Sequence, residues 1–140
     1  MDMIKILVKE PNKAPYVKEI EHKLENLQEI VGGFIECVEM PGAKNIDIYV
    51  NEEGKLMQLP GNMWIAGTGD CIVGTCYMVG FDSKTGANIS LTDKQIQTCK
   101  KYIDKFALPE NCDLYLNYFS LVPEMYAKSE RYLKKAIVEL

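Results

Sequence analysis

Glycine and proline set the limits on what this chain can become. Proline ends helices and cannot donate in a sheet, and glycine readily adopts left-handed turns. The two punctuate the sequence at Pro11, Gly32-Gly33, Pro41-Gly42, Gly54, Pro60-Gly61, Gly86 and Pro109. Between them lie short runs, IKILV, FIECVEM, NIDIYV and CIVGTCYMV, rich in β-branched residues. Such runs form strands. None approaches the roughly 18 apolar residues of a membrane-spanning helix. A length of 140 residues is that of one domain with a single core.

Three segments carry a helical pattern instead, the last opened by Pro123 with Tyr126, Leu133, Ile137 and Leu140 at helical spacing. From Pro15, the residues Val17, Ile20, Leu24, Leu27 and Val31 recur at spacings of three and four, and Gly32-Gly33 closes the pattern. This predicts a helix that lays an apolar stripe on a sheet. Thr92 and Gln95 have the spacing of a capping box, Leu91 and Ile96 that of a hydrophobic staple. Ile96, Cys99, Ile103 and Phe106 supply the buried stripe of this second helix. The strand NIDIYV sets Ile46, Ile48 and Val50 on one side and Asp47 and Tyr49 on the other. In NEEG, Asn51 opens a turn and Gly54 fills a place that often needs positive φ. A hairpin follows, with Lys55–Leu59 as its return strand. Residues 61–70, with the only tryptophan, Trp64, read as a loop, and Cys71–Val79 as one central strand interrupted at Gly74. The expected fold is α+β, in the order β-α-β-β-β-β-α-β-α, mostly an antiparallel sheet with the helices packed on one face. One domain of residues 1–140 divides into a core of 1–110 and a strand–helix extension of 111–140.

Charge and chemistry narrow the function more by exclusion than by assignment. Net charge is −4, and lysine alternates with glutamate as in KEIEHKLE. That is a solvated face, not the basic patch of a general nucleic-acid binder. Five cysteines, at 37, 71, 76, 99 and 112, show no zinc or redox spacing. Free thiols within apolar patterns fit a reduced, cytoplasmic compartment. The single histidine, His22, sits among charged neighbours, with no nucleophile placed beside it. The glycine-rich GTGD at Gly67–Asp70 lacks the lysine of a phosphate loop and leads into a strand. No metal and no cofactor is expected. Eight tyrosines are the unusual count, and four of them (Tyr115, Tyr118, Tyr126, Tyr132) follow Asn111. Tyrosine joins an apolar body to a polar tip and suits interfaces.

The segments PNKAPYVKEI, LQEIVGGFIE, NEEGKLMQLPGN and DCIVGT, in this order, together resemble a family of small domains of unknown function. The resemblance runs from about Met3 to Gly80, with an echo at SLTDKQ. It implies a setting in Firmicutes, their phages and their conjugative elements, and no assigned activity. It draws attention to Pro11, Tyr16, Gly32, Gly33, Glu36, Asn51, Gly54, Lys55, Pro60, Asn62, Gly74 and Thr75. Met63 stands where the family pattern often has arginine, which departs from any shared anion site.

A ligand site is expected from Tyr16, Asn51, Lys55, Asn62, Trp64 and Thr75, with Lys55, Asn62 and Thr75 converging near Trp64. A concave apolar wall with a few placed polar groups is the usual form of such a site. The leading expectation is a non-enzymatic binding protein of a phage or mobile element that sequesters a small anionic, nucleotide-like ligand in host-defence conflict. The alternatives are a protein-binding inhibitor or adaptor that docks on a host or element-encoded partner through the tyrosine-rich C-terminal surface, and an enzyme built on carboxylates alone, with Glu36, Asp47 and Glu52 as candidates. A homodimer is compatible with the first two.

Overall fold

The computed structural model of this chain describes residues 2–108. The strand and helix expected after Asn111, and the tyrosine-rich surface with them, lie outside the described residues.

The fold is α+β, and its main sheet is antiparallel throughout. Its strands are β1 (Met3–Lys9), β2 (Tyr16–Glu21), β3 (Ile35–Glu39), β4 (Ile46–Asn51), β7 (Cys76–Phe81) and the short β8 (Asn88–Ile89). They run in the order β2-β1-β7-β4-β3, with β8 paired to β7. A separate hairpin is made by β5 (Gly61–Ile65) and β6 (Asp70–Val73). The helices are α1 (Leu24–Val31) and α2 (Asp93–Phe106).

Strand alternation makes the sheet two-faced. Ile4, Ile6 and Val8 of β1 and Tyr77 and Val79 of β7 point to one side, where Leu27 and Val31 of α1 cover them. Leu7, Ile46, Ile48, Val50, Cys76 and Met78 point to the other side. There they meet α2 through Ile96, Cys99, Tyr102, Ile103 and Phe106, together with Met63 and Ile72 of the hairpin. The helices therefore lie on opposite faces of the sheet, not on one as expected. The central strand β7 is apolar on both sides, so each face needs its own cover.

The helix expected from Pro15 begins later than its pattern. Tyr16–Glu21 is an edge strand paired with β1 from Met3↔Glu21 to Val8↔Tyr16. A turn at Pro11-Asn12, closed by Lys13 N–H to Glu10 O at 3.3 Å, folds it back. Val17 and Leu24, two members of the supposed stripe, are exposed, whereas Ile20, Leu27 and Val31 share one core cluster. A strand followed by a helix on the same face thus imitates one long helix. The end of α1 is as expected: Gly32 is left-handed at φ 78° and donates to Gln28 O at 2.8 Å.

Residues after β4 depart furthest from expectation. Asn51 does open a turn: its Oδ1 accepts from Glu53 N–H at 2.8 Å, and its carbonyl accepts from Gly54 N–H at 3.1 Å. Lys55–Leu59 does not return as a strand. It coils, with Met57 N–H to Glu53 O at 2.9 Å and Leu59 N–H to Gly54 O at 3.0 Å. Gly54 is required by space and not by a positive φ, since a Cβ there would sit 2.9 Å from Val73 Cγ2. The supposed loop around Trp64 is β5, and the supposed single strand of Cys71–Val79 is two, β6 and β7, in different sheets. Between them Gly74, at φ 75°, redirects the chain.

The second helix is built as its local signals require. Thr92 Oγ1 accepts from Gln95 N–H at 3.1 Å, and Gln95 Oε1 accepts from Thr92 N–H at 2.9 Å. Leu91 and Ile96 are both buried in the α2 cluster. No helix of the described residues is long and apolar enough to cross a membrane.

Candidate functional site

Two buried asparagines organise the end of the sheet where β1 finishes and β7 starts. Asn62 is 1% exposed, and its Nδ2 donates to the carbonyls of Lys9 and Gly74, each at 2.8 Å. It thereby ties β1 to the bend between β6 and β7. Gly74 N–H in turn donates to Pro60 O at 2.7 Å. A side chain at Gly74 would strike Leu59 at 2.7 Å, so both φ and space demand glycine. Asn51 does the same work on α1: its Nδ2 donates to Val31 O at 3.1 Å and satisfies one of the helix's last carbonyls.

Around these ties lies a depression of about 440 Å³. Four separate stretches line it: the β1–β2 turn at Glu10–Lys13, the C-terminal end of α1 at Glu29–Gly32, and Leu59-Pro60 where it meets Gly74-Thr75. Its charged groups are Glu10, Glu29 and Lys13, with Lys13 Nζ 3.9 Å from Glu10. The negative end of the α1 dipole adds to the acidic side. Lys9, at the rim of the core, is almost wholly buried, and its Nζ donates to Glu10 O at 2.6 Å. Burial lowers its pKa against the pull of Cys76 and Glu10. The Cys76 thiol beside it is pushed up to about 12, mainly by its own burial, and so stays protonated.

A second groove, of about 220 Å³, runs between the β3–β4 face and the hairpin. Glu36, Asn51, Glu52, Lys55 and Asp70 line it, and Lys55 pairs with Asp70 across it. Leu56 stands at its rim, 86% exposed.

The six expected site residues are therefore dispersed. Thr75 lines the first depression; Asn51 and Lys55 line the second groove. Asn62 is buried behind the first as a strut. Trp64 lines neither of these two: it packs against the α2 core, and its carbonyl accepts from Tyr102 Oη at 2.6 Å. Tyr16 begins the edge strand β2, exposed, with its phenol raised by partial burial and by Glu10. Lys55, Asn62 and Thr75 do not converge at Trp64. Of the carboxylates, Glu36 and Glu52 share the groove, whereas Asp47 points to the opposite face, where it accepts from Asn88 Nδ2 at 3.2 Å.

Sequence reasoning passed over Lys9 and Asn88. Lys9 closes an apolar run, and only its pairing with Cys76 reveals that it faces inward.

A family model described as a domain of unknown function (DUF3846) matches residues 4–107. The chain belongs to the DUF3846 family. The matched span holds both depressions and ends at the C-cap of α2, Ala107. No curated protein and no solved structure matches this DUF3846 domain.

Proposed function

We propose that this DUF3846 domain binds a small ligand at the end-of-sheet depression and holds it without transforming it. One observation supports this above others. Stretches far apart in sequence, around Pro11, Gly32, Pro60 and Thr75, meet about one hollow whose walls are braced by two asparagines that donate their Nδ2 groups to backbone carbonyls. Buried side-chain amides used in this way rigidify a wall, and pre-organised walls lower the entropy lost on binding.

The lining favours a ligand that donates hydrogen bonds. Glu10, Glu29 and the carbonyl end of α1 outweigh Lys13, which Glu10 already engages. A neutral polar or cationic group suits this balance better than the nucleotide-like anion suggested by the sequence, which remains the competing arm of the test. Sequestration in the conflict between a mobile element and its host is the biological form of this reading, and the family resemblance is what suggests it.

The test is a thermal-shift panel of polyamines, nucleosides and nucleotides, with each compound recovered and weighed by mass spectrometry. A ligand at a hundred times its Kd stabilises by about 2.7 kcal/mol, worth roughly 10 °C or more for a domain of this size. Binding at the proposed place predicts such a shift with the compound intact, abolished by Thr75→Trp, which fills the hollow. Product formation, or a shift that Thr75→Trp leaves alone, refutes the reading.

A second reading, a protein-binding module, draws support from Phe34, Leu56 and Met57. All three are exposed and flank the turn after β4, where Phe34 O accepts from Glu52 N–H at 2.8 Å.

A further inference from the structure

The main sheet has two outer strands, β2 and β3, and among the described residues neither has a partner on its outer side. Their sequences treat that exposure differently. In an antiparallel pair of identical strands related by a two-fold axis, some residue must face its own copy. Residues of unequal parity point to opposite faces and cannot pair.

In β2 the outward backbone groups belong to Val17, Glu19 and Glu21, because His22 N–H donates inward to Asp2 O at 2.8 Å and alternation sets the rest. The strand has six residues, so none lies at its centre. The two central choices of axis set Lys18 against Lys18 of the partner subunit, or Glu19 against Glu19 of the partner subunit. Either is a directly opposed like-charge pair, which destabilises a sheet. Pro15, just before the strand, removes a donor as well. This edge is guarded against its own copy.

Strand β3 is not guarded. Phe34 O accepts from Glu52 N–H and Met40 N–H donates to Ile46 O, so the even-numbered residues spend their backbone groups on β4. Ile35, Cys37 and Glu39 then direct theirs outward. The strand has five residues, with Cys37 at its centre. An axis through Cys37 uses the whole strand and offers about six new backbone hydrogen bonds. It sets Ile35 against the partner's Glu39 and Glu36 against the partner's Val38, with no like charges opposed. Phe34, 63% exposed, and Leu56 stand beside this edge as apolar surface without described cover.

We propose that β3 is a self-association edge, through which two copies of this chain join their sheets about a two-fold axis at Cys37. Cys37 is a free, exposed thiol. In a hydrogen-bonded antiparallel pair the facing Cα atoms lie about 5.5 Å apart, within the reach of a disulfide. The interface is therefore addressable by a cross-link that reads its register.

Light scattering after size exclusion, across a range of concentrations, tests the proposal. The wild-type chain is expected to pass from 15.9 kDa to twice that mass as concentration rises. Diamide treatment is expected to give a covalent dimer whose bridge maps to Cys37 by mass spectrometry. Cys37→Lys opposes two cations at the axis, and Cys37→Pro removes an outward N–H that no inward bond uses. Both are expected to stay at 15.9 kDa with unchanged circular dichroism, while Cys37→Ser still dimerises but loses the cross-link. A wild-type chain that remains monomeric at several hundred micromolar overturns the proposal. So does a dimer that survives both the Lys and the Pro variants, or a bridge that maps to another cysteine.

Discussion

The two faces of one sheet are covered in very different ways. On one side lies α1, eight residues long, with Lys23 at its N-cap making no side-chain capping bond and with only Leu27 and Val31 buried. On the other lies α2, fourteen residues long, with a complete capping box and five buried side chains, reinforced by the β5–β6 hairpin. The larger cluster carries most of the apolar burial, so the α2 face carries most of the stability. The depression that we propose as the binding site is bordered by α1 instead. Binding regions are commonly drawn from the less stable part of a fold, where small free energies can move structure. The division of labour is thus between a face that holds the domain together and a face that can respond.

Neighbouring residues of β7 offer the largest test of this division, because Met78 faces α2 and Val79 faces α1. Both are almost wholly inaccessible. Met78→Ala leaves a cavity in the larger cluster and is expected to cost about 2–5 kcal/mol in urea denaturation. Val79→Ala removes less and opens onto a short helix that can settle, so about 1–2 kcal/mol is expected. Equal costs would break the comparison.

A pair of tyrosines sharpens it. Tyr102 on α2 uses its hydroxyl twice, donating to Trp64 O at 2.6 Å and accepting from Ala66 N–H at 3.0 Å. Tyr77 on β7 stacks on Tyr49 at 5.3 Å, but its buried hydroxyl has no partner among the described residues. Tyr102→Phe strands two backbone groups and is expected to cost about 1–3 kcal/mol, whereas Tyr77→Phe is expected to be neutral or stabilising. Burial raises both phenols above the usual value near 10. A raised pKa in the folded state means that the neutral form is favoured by folding. Stability is then full below pH 10 and falls as the pH climbs beyond it. Each Phe variant should lose less stability than wild type between neutral pH and pH 11.

What could be read from the sequence was what local chemistry decides. The capping box at Thr92 and Gln95, the glycine that ends α1 and the alternation of Ile46, Ile48 and Val50 each depend on neighbours within a few residues. What could not be read depends on distant partners. Tyr16–Glu21 is a strand because β1 pairs with it, and Gly61–Ile65 is a strand because β6 does. The site shows the same boundary. Asn51 and Asn62 could be singled out within the NEEGKLMQLPGN stretch, but polarity alone does not distinguish a ligand contact from a strut. Their destinations, the carbonyls of Val31, Lys9 and Gly74, lie 20, 53 and 12 residues away. Thr75 could be singled out, but its neighbours across the depression could not.

The smallest test concerns the helix starts and runs in opposite directions on the two faces. Thr92→Ala removes the acceptor that holds Gln95 N–H and leaves a first-turn donor of α2 unpaired, at an expected cost of about 1 kcal/mol. Lys23 occupies the equivalent place on α1 with extended backbone at φ −126°, the conformation that a capping residue needs. Its salt bridge with Glu21, at 3.2 Å, is largely exposed and worth little. Lys23→Ser supplies the missing acceptor without moving the chain and is expected to gain about 0.5–1 kcal/mol. Hydrogen exchange can localise the gain: slower exchange is expected at the first amides of α1, with those of α2 unchanged. If α1 already exchanges as slowly as α2 in the wild-type chain, the responsive face is not the α1 face, and the contrast between the two covers does not extend to their dynamics.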